Sequence, residues 1–217
     1  DRVTVSLDAL DPQTHASMVD SAIPVETVLE GIGAALVNGL DPVKVNCVVQ
    51  SGVNESEVPA LVRHFRGTGV IVRFIEYMDV GRTNGWSLGQ VVPSINLLKD
   101  LQKEFDLVPV EQASPSDVAT MWAHSDGSGK IGFISSVSKP FCGECVRARL
   151  SADGHLFTCL FASGGHDLRA IIHGGGEIQD LTNAIAAVWS RRTDRYSEMR
   201  SSETSSLPRN EMSYSGG

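Results

Sequence analysis

No run of apolar residues in this 217-residue chain approaches the length of about eighteen that a membrane-spanning helix needs. No charged-then-apolar opening reads as a secretory signal. An excess of positive charge is also missing: Lys plus Arg number 18 against 26 Asp plus Glu, a net charge of -8. So acidic a chain is a poor general binder of nucleic acid, because phosphate contacts need clustered Lys and Arg. A local basic site can still take an anion. Cysteine is scarce, and four in a chain of this length exclude a disulfide scaffold. There is no internal repeat and no low-complexity tract apart from a Ser-rich stretch from about Ser197 that ends Ser215-Gly216-Gly217. A lead-in is absent as well. Asp1 has no Met before it, and Val3-Thr4-Val5-Ser6-Leu7 already reads as a strand, so the chain is expected to be a fragment lacking its N-terminal part. What is present is ordinary globular material, 41% hydrophobic, enough for one large domain or two small ones.

The first hundred residues alternate strand and helix. Val3 to Leu7, Val43 to Val49 and Val70 to Tyr77 read as strands. Val25, Val28, Leu29, Ile32, Ala35 and Leu36 recur at helical spacing before Gly39. Glu55 to Phe65 predicts a short helix capped by Asn54 or Ser56, and Ile95, Leu98, Leu101 and Phe105 mark another. Such repeats predict parallel strands in βαβ units. Each strand carries one apolar face and one that is more polar: Thr4, Ser6 and Asp8; Lys44, Asn46, Val48 and Gln50; Arg73, Ile75 and Tyr77. A polar inner face suits an incomplete or wide barrel holding a polar ligand better than a closed barrel packed with branched side chains. From about Phe105 the texture changes to short strand-like runs at 107–110, 118–124, 130–137, 146–150 and 155–160, with turns at Asp126-Gly127-Ser128-Gly129 and Asp153-Gly154. Helices are expected near 167–173 and 177–189.

Three of the cysteines cluster, as expected of a metal site in a reducing compartment. Cys142-Gly143-Glu144-Cys145 is separated by thirteen residues from Cys159, which returns on the hairpin turning at Asp153-Gly154. Structural zinc takes four protein ligands, with His155 or His166 available as the fourth. A four-iron cluster held by three cysteines leaves one iron open for a small molecule. A redox Cys-x-x-Cys is a third reading. Cys47 reads as a small buried apolar residue. Arg147 and Arg149, two apart on an expected strand, point to one face beside the metal as an anion clamp or are routine surface charge. Lys44 sits between valines and must pair with something, either a ligand or an internal carboxylate such as Asp8.

With these residues in place the sequence resembles the radical-SAM GTP 3′,8-cyclase family of molybdenum cofactor biosynthesis (molybdenum cofactor biosynthesis protein A), in its C-terminal part. The matching segments are Ser6-Leu7-Asp8-Ala9-Leu10, Val43-Lys44-Val45-Asn46, and Arg73 through Gly81; then Phe141 through Leu150, Asp153-Gly154, Cys159-Leu160-Phe161, Asp194-Arg195-Tyr196-Ser197, and Gly216-Gly217. The resemblance implies an α/β fold: the C-terminal half of an incomplete radical-SAM (β/α) barrel over 1–105, then a small α+β domain carrying an auxiliary iron-sulfur cluster and binding GTP over 106–196, then a flexible tail over 197–217. It implies a lyase that converts GTP to (8S)-3′,8-cyclo-7,8-dihydroguanosine 5′-triphosphate. Cys142, Cys145 and Cys159 would hold an auxiliary [4Fe-4S] cluster whose open iron binds the guanine. Lys44, Arg147 and Arg149 would contact GTP, Ser6 and Met78 would contact S-adenosylmethionine, and Gly216 and Gly217 would reach the active site with Arg147 and Arg149. A second [4Fe-4S] cluster, which cleaves S-adenosylmethionine, belongs to a Cys-x-x-x-Cys-x-x-Cys motif that this sequence does not contain. The 217 residues alone are therefore expected to be inactive. The resemblance further implies a cytoplasmic monomer or homodimer that hands its product to a pterin-forming enzyme, with no nucleic-acid or membrane partner. The rival readings are a non-catalytic module stapled by zinc and another radical-SAM enzyme with an auxiliary cluster.

Overall fold

Strand β2 (Val43–Val49) follows the two-residue alternation of its sequence without exception: Val43, Val45, Cys47 and Val49 are buried, and Lys44, Asn46 and Val48 are half-buried. It is the anchor of a six-stranded sheet in a computed structural model that describes residues 1–19, 21–81, 84–114, 116–200, 210, 211 and 214. Contacts divide the chain into two units, Asp1–Tyr77 with Leu88–Pro140, and Met78–Ser87 with Phe141–Gly217.

In the first unit β1 (Val3–Ser6), β2, β3 (Ile71–Glu76) and β6 (Lys130–Ile134) run parallel, and β5 (Thr120–His124) and β4 (Leu107–Pro109) close the sheet antiparallel, in the order β1-β2-β3-β6-β5-β4. The connecting helices are α2 (Val25–Val37), α3 (Val58–Phe65) and α4 (Ser94–Leu101). They cover the apolar face, where Val45, Val72, Phe74, Leu61 and Leu101 are almost fully buried. A mixed α/β fold with a mostly parallel sheet is thus what the alternating pattern encodes.

Three expectations need correction, and one helix was not expected. Strands β4, β5 and β6 do not open a second domain at 106. Phe133 on β6 meets Phe74 on β3 with ring centroids 5.9 Å apart, so the apolar face of the first sheet continues through them. Asn54 precedes the 3-10 turn Glu55–Glu57 without capping it. Its Oδ1 accepts from Gln50 N at 2.8 Å, and its Nδ2 donates to the Asp8 and Val48 carbonyls, each at 2.8 Å. A short helix, α1 (Pro12–Met18), lies where no periodicity foretold it. The Asp11 carboxylate caps it through Thr14 N at 2.8 Å, and Pro12 fits its first turn. Asp8 is no partner for Lys44, since its Oδ1 accepts from Val48 N at 2.7 Å. Burial raises the Asp8 carboxyl against that hydrogen bond and the nearby His15.

Glu76 closes β3 on the buried side. Its Oε1 accepts from Ser94 N at 2.8 Å, at the start of α4. Its Oε2 accepts from Val137 N and Ser138 N at 2.8 and 2.7 Å, just past β6.

The second unit contains a hairpin of β7 (Arg149–Leu150) and β8 (His155–Phe157), to which β9 (His166–Asp167) adds a third strand. Gly154 turns it at φ +85°, and a Cβ there would meet Arg169 Cβ at 2.9 Å, so the position needs glycine twice over. Helices α5 (Arg169–His173) and α6 (Ile178–Ser190) follow. Among the described residues no helix is long and apolar enough to cross a membrane.

Candidate functional site

On the polar face of the first sheet a cavity of about 280 Å³ is lined by Lys44, Arg73, Lys130, Asp117 and Met121, among others. Gly132 makes room for it, because a Cβ there would stand 2.9 Å from Met121 Sδ and 3.3 Å from Arg73 Cγ. Burial lowers the Lys44 ammonium, Arg73 and Arg2 add to the fall, and Asp117 opposes it. Arg73 is lowered by burial and donates from Nε to Asn46 Oδ1 at 2.8 Å. Three cations beside one carboxylate make this a place for an anion. The pattern singled out Lys44; the same alternation placed Arg73 on its face but did not mark it as a neighbour. Parallel register does so, pairing Asn46 with Arg73. Ser6, at the end of β1, is exposed in this unit.

The thiols belong to the second unit. All four cysteines of the chain are free; Cys142, Cys145 and Cys159 are half-buried, and Cys47 is buried in the first unit with its thiol pushed well up by burial. The Cys142-x-x-Cys145 segment is a turn closed by Cys145 N donating to Cys142 O at 3.2 Å. Burial works against ionisation of Cys145, but the Arg147 backbone N–H, the Arg147 guanidinium (Nη2 to Sγ, 3.4 Å) and Arg192 outweigh it and hold the thiol below its ordinary value. Cys159 goes the other way. Burial raises it, the Phe161 N–H (3.5 Å to Sγ) opposes, and Asp194 and Cys142 add to the rise.

Arg147 is not on a strand, which corrects the expected shared face: β7 begins at Arg149, and Arg147 lies exposed over the Phe141 ring at 5.0 Å. Arg149 is half-buried within the field of both Cys159 and Cys145, and burial followed by Arg147 lowers it. The guanidinium pair therefore stands beside the thiols, though by a different local geometry. Met78 is in this unit too, its carbonyl accepting from Asn84 Nδ2 at 3.1 Å. Gly216 and Gly217 lie outside the described residues. His155 sits on β8 with Nδ1 3.2 Å from Asp153, and His166 is exposed on β9. A cavity of about 660 Å³ is lined by His155, Phe157, Gly165 and Tyr214, and by none of the cysteines.

Among the described residues no three His, Cys, Asp or Glu side chains are placed to hold a single metal ion. The donor chemistry is nonetheless of one kind: three free thiols, soft ligands of the type iron-sulfur clusters take, with arginines beside them to balance thiolate charge. By that measure the residues fit such a cluster.

Comparison with known proteins bears on both units. Over its whole length the chain is 49% identical across 216 residues to a GTP 3′,8-cyclase of Xanthomonas campestris pv. campestris (strain B100), of which it covers 63%. It is 50% identical across 201 residues to the GTP 3′,8-cyclase of Xanthomonas axonopodis pv. citri (strain 306), with 93% of this chain and 60% of that protein covered. The corresponding protein of Acidothermus cellulolyticus is 42% identical over 241 residues, with the whole of this chain and 67% of that protein covered. The chain thus spans about three fifths of the length of the Xanthomonas relatives. The model of the Molybdenum Cofactor Synthesis C family matches residues 70–198, from β3 through both cysteine segments, and the chain belongs to that family.

Proposed function

We propose that the protein acts as a GTP 3′,8-cyclase, a lyase of molybdenum cofactor biosynthesis that makes (8S)-3′,8-cyclo-7,8-dihydroguanosine 5′-triphosphate from GTP and S-adenosylmethionine. The observation that carries this reading is Arg149, a half-buried guanidinium within the field of two thiols in the second unit. In this reading the sheet of the first unit is part of an incomplete radical-SAM barrel, and the second unit is the auxiliary-cluster and GTP-binding part. The free thiols accord with a cytoplasmic protein, and its product passes to a pterin-forming enzyme.

Cys142, Cys145 and Cys159 would hold a [4Fe-4S] cluster. Its ligand sulfurs go to separate irons, so they need not converge on a point as they do around one zinc. When bound, that cluster supplies an iron with an open position for a ligand atom of the substrate. The chain's own groups do the rest. Arg149, with Arg147, offers the substrate's anionic groups charge-assisted hydrogen bonds in a half-buried setting, where such bonds are worth more than in water. Lys44, sharing a cavity with Arg73, offers a second cationic point in the first unit. Ser6 and Met78 would contact S-adenosylmethionine, and the Gly216-Gly217 terminus would complete the site. The radical-generating cluster has no ligand set in these 217 residues, so the chain alone is expected not to turn over GTP.

The test is metal and sulfide analysis of anaerobically purified protein, followed by GTP titration. Iron with acid-labile sulfide, and GTP affinity that falls in Arg149→Ala, support the reading. Stoichiometric zinc, or GTP affinity within about twofold of wild type in both Arg147→Ala and Arg149→Ala, overturns it.

A further inference from the structure

The Asp194-Arg195-Tyr196 segment has no role in the reading above, yet its surroundings touch both cysteine segments of the second unit. Arg192 donates from Nη1 to the Cys145 carbonyl and from Nε to Asp194 Oδ2 at 3.3 Å. The same Asp194 oxygen accepts from Thr158 Oγ1 at 2.6 Å, and Thr158 is the residue before Cys159. One arginine and one carboxylate therefore link the backbone at Cys145 to the residue next to Cys159.

A second linkage reaches Cys159 from its other side. Tyr196 Oη donates to Asp79 Oδ2 at 2.7 Å, and Arg200 Nε donates to Asp79 Oδ1 at 2.8 Å. The Asp79 and Arg200 side chains are 1% and 2% exposed. The Tyr196 ring stacks on Phe161 with centroids 4.5 Å apart and planes 22° apart, and the Arg200 guanidinium covers the Phe161 ring at 5.0 Å. Phe161 N–H in turn donates to Cys159 Sγ at 3.5 Å. Hydrogen bonds to ligand sulfurs, and the groups that orient ligands, tune the affinity and potential of iron-sulfur and other metal sites.

We infer that Arg192, Asp194, Tyr196 and Arg200 form a brace of positioning residues that fixes the Cys145 and Cys159 segments for an iron-sulfur cluster, Asp194 acting through Thr158 and Tyr196 with Arg200 acting through Phe161. This rests on the reading of Cys142, Cys145 and Cys159 as cluster ligands. The brace touches no reacting atom. It sets where two thiols and one N–H···S hydrogen bond stand.

The experiment uses the full-length protein, reconstituted anaerobically with ferrous iron and sulfide. The electron paramagnetic resonance spectrum of the reduced protein, minus that of a Cys142→Ser, Cys145→Ser, Cys159→Ser triple variant, defines the signal of the cysteine site. Asp194→Asn and Thr158→Val are expected to speed iron loss from that site to a chelator by about ten- to a hundredfold and to alter its spectrum. Thr158→Ser, which keeps the hydroxyl, is expected to stay within about twofold of wild type, and Tyr196→Phe, which keeps the ring stack, to fall between. A purely structural role would lower the unfolding midpoint and leave the spectrum unchanged. If the difference spectrum holds a cluster signal and Asp194→Asn and Thr158→Val keep both wild-type release and wild-type spectrum, the brace is overturned and the ligand reading stands. If the triple variant loses no iron relative to wild type, the ligand reading fails, and the brace fails with it.

Discussion

The main hydrophobic cluster, from Leu7 to Phe133, lies wholly in the first unit. The apolar side chains buried in the second unit, among its described residues, are Leu156, Phe157, Phe161 and Leu168. What the second unit has instead is charge against rings and carboxylates: Arg200 on Asp79 and Phe161, Arg192 on Asp194 and the Trp189 ring, Thr158 on Asp194. Burial of apolar surface gains free energy without a ligand. A unit poor in such burial takes a larger share of its order from whatever it binds, since a group that binds only the folded form stabilises it by mass action. On the proposed reading, the first unit is a scaffold that holds itself, and the second is expected to be held in part by the cluster it binds.

The sharpest way to break that contrast is to remove a thiol. Cys145→Ser is expected to abolish iron binding at the second unit, because a serine oxygen is a hard and poor ligand for such a cluster. Amide hydrogen exchange should then speed up in β7 and β8 and stay unchanged in β2 and β3. Equal loosening of both units would erase the distinction. Next in size is Phe74→Ala, which empties a fully buried position. It is expected to cost about 3–5 kcal/mol, with the same loss in denaturant titrations with and without iron. A loss that shrinks when iron is supplied would mean that the first unit also leans on the ligand.

Arg149→Ala comes third. Charge-assisted hydrogen bonds contribute about 1.5–3 kcal/mol each, so GTP affinity should fall roughly ten- to a hundredfold, read by titration with the cluster confirmed intact. Folding stability should fall far less than GTP affinity, and Arg149→Lys should restore part of the affinity, a point charge being unable to form the fork. The smallest effect is at the hairpin turn of the second unit. Asp153 is held down to about 2, first by the Ser151 hydroxyl, with desolvation opposing and Tyr214 and His155 adding to the fall. Its ordinary value is 3.8, so the stability it lends is present above pH 3.8 and is lost as pH falls through about 2. Tyr214→Phe removes the one hydroxyl that stands 2.9 and 3.1 Å from the two Asp153 carboxylate oxygens and should move the Asp153 titration upward, measured on its carboxyl carbon by NMR. An unmoved titration would show that Tyr214 makes no hydrogen bond there in solution.

The contrast also explains what could be read from the chain alone. Period-two alternation reports burial directly, so β2 was legible to the residue, and the helix that became α2 nearly so. Helix α1 was not, because Pro12-Gln13-Thr14-His15-Ala16-Ser17-Met18 carries no apolar stripe and owes its start to the Asp11 side chain. That β6 joins β3 in parallel was hidden, since pairing between residues 72 and 131 leaves no local trace. In the second unit the cysteine spacing and the arginines beside it were visible in the sequence as residue types, and the structure sets Arg149 within the field of Cys145 and Cys159. Their supports were not: Arg192 is 47 residues from Cys145, and Arg200 is 121 from Asp79. The motif at Asp194-Arg195-Tyr196 was visible, but a carboxylate and a phenol do not announce which backbone they serve.

The Glu76 carboxylate carries a consequence for modularity. The second unit is not one continuous stretch of gene: the chain leaves the first unit after Tyr77, re-enters it at Leu88 and leaves again after Pro140. Glu76 binds the amides of Ser94, Val137 and Ser138, so a single acid secures the chain beside each departure and soon after the return. Any recombination event that transplants the cysteine-bearing unit onto another sheet has to carry two pieces and recreate that acid with its three amides. A unit threaded in this way cannot move as one uninterrupted cassette.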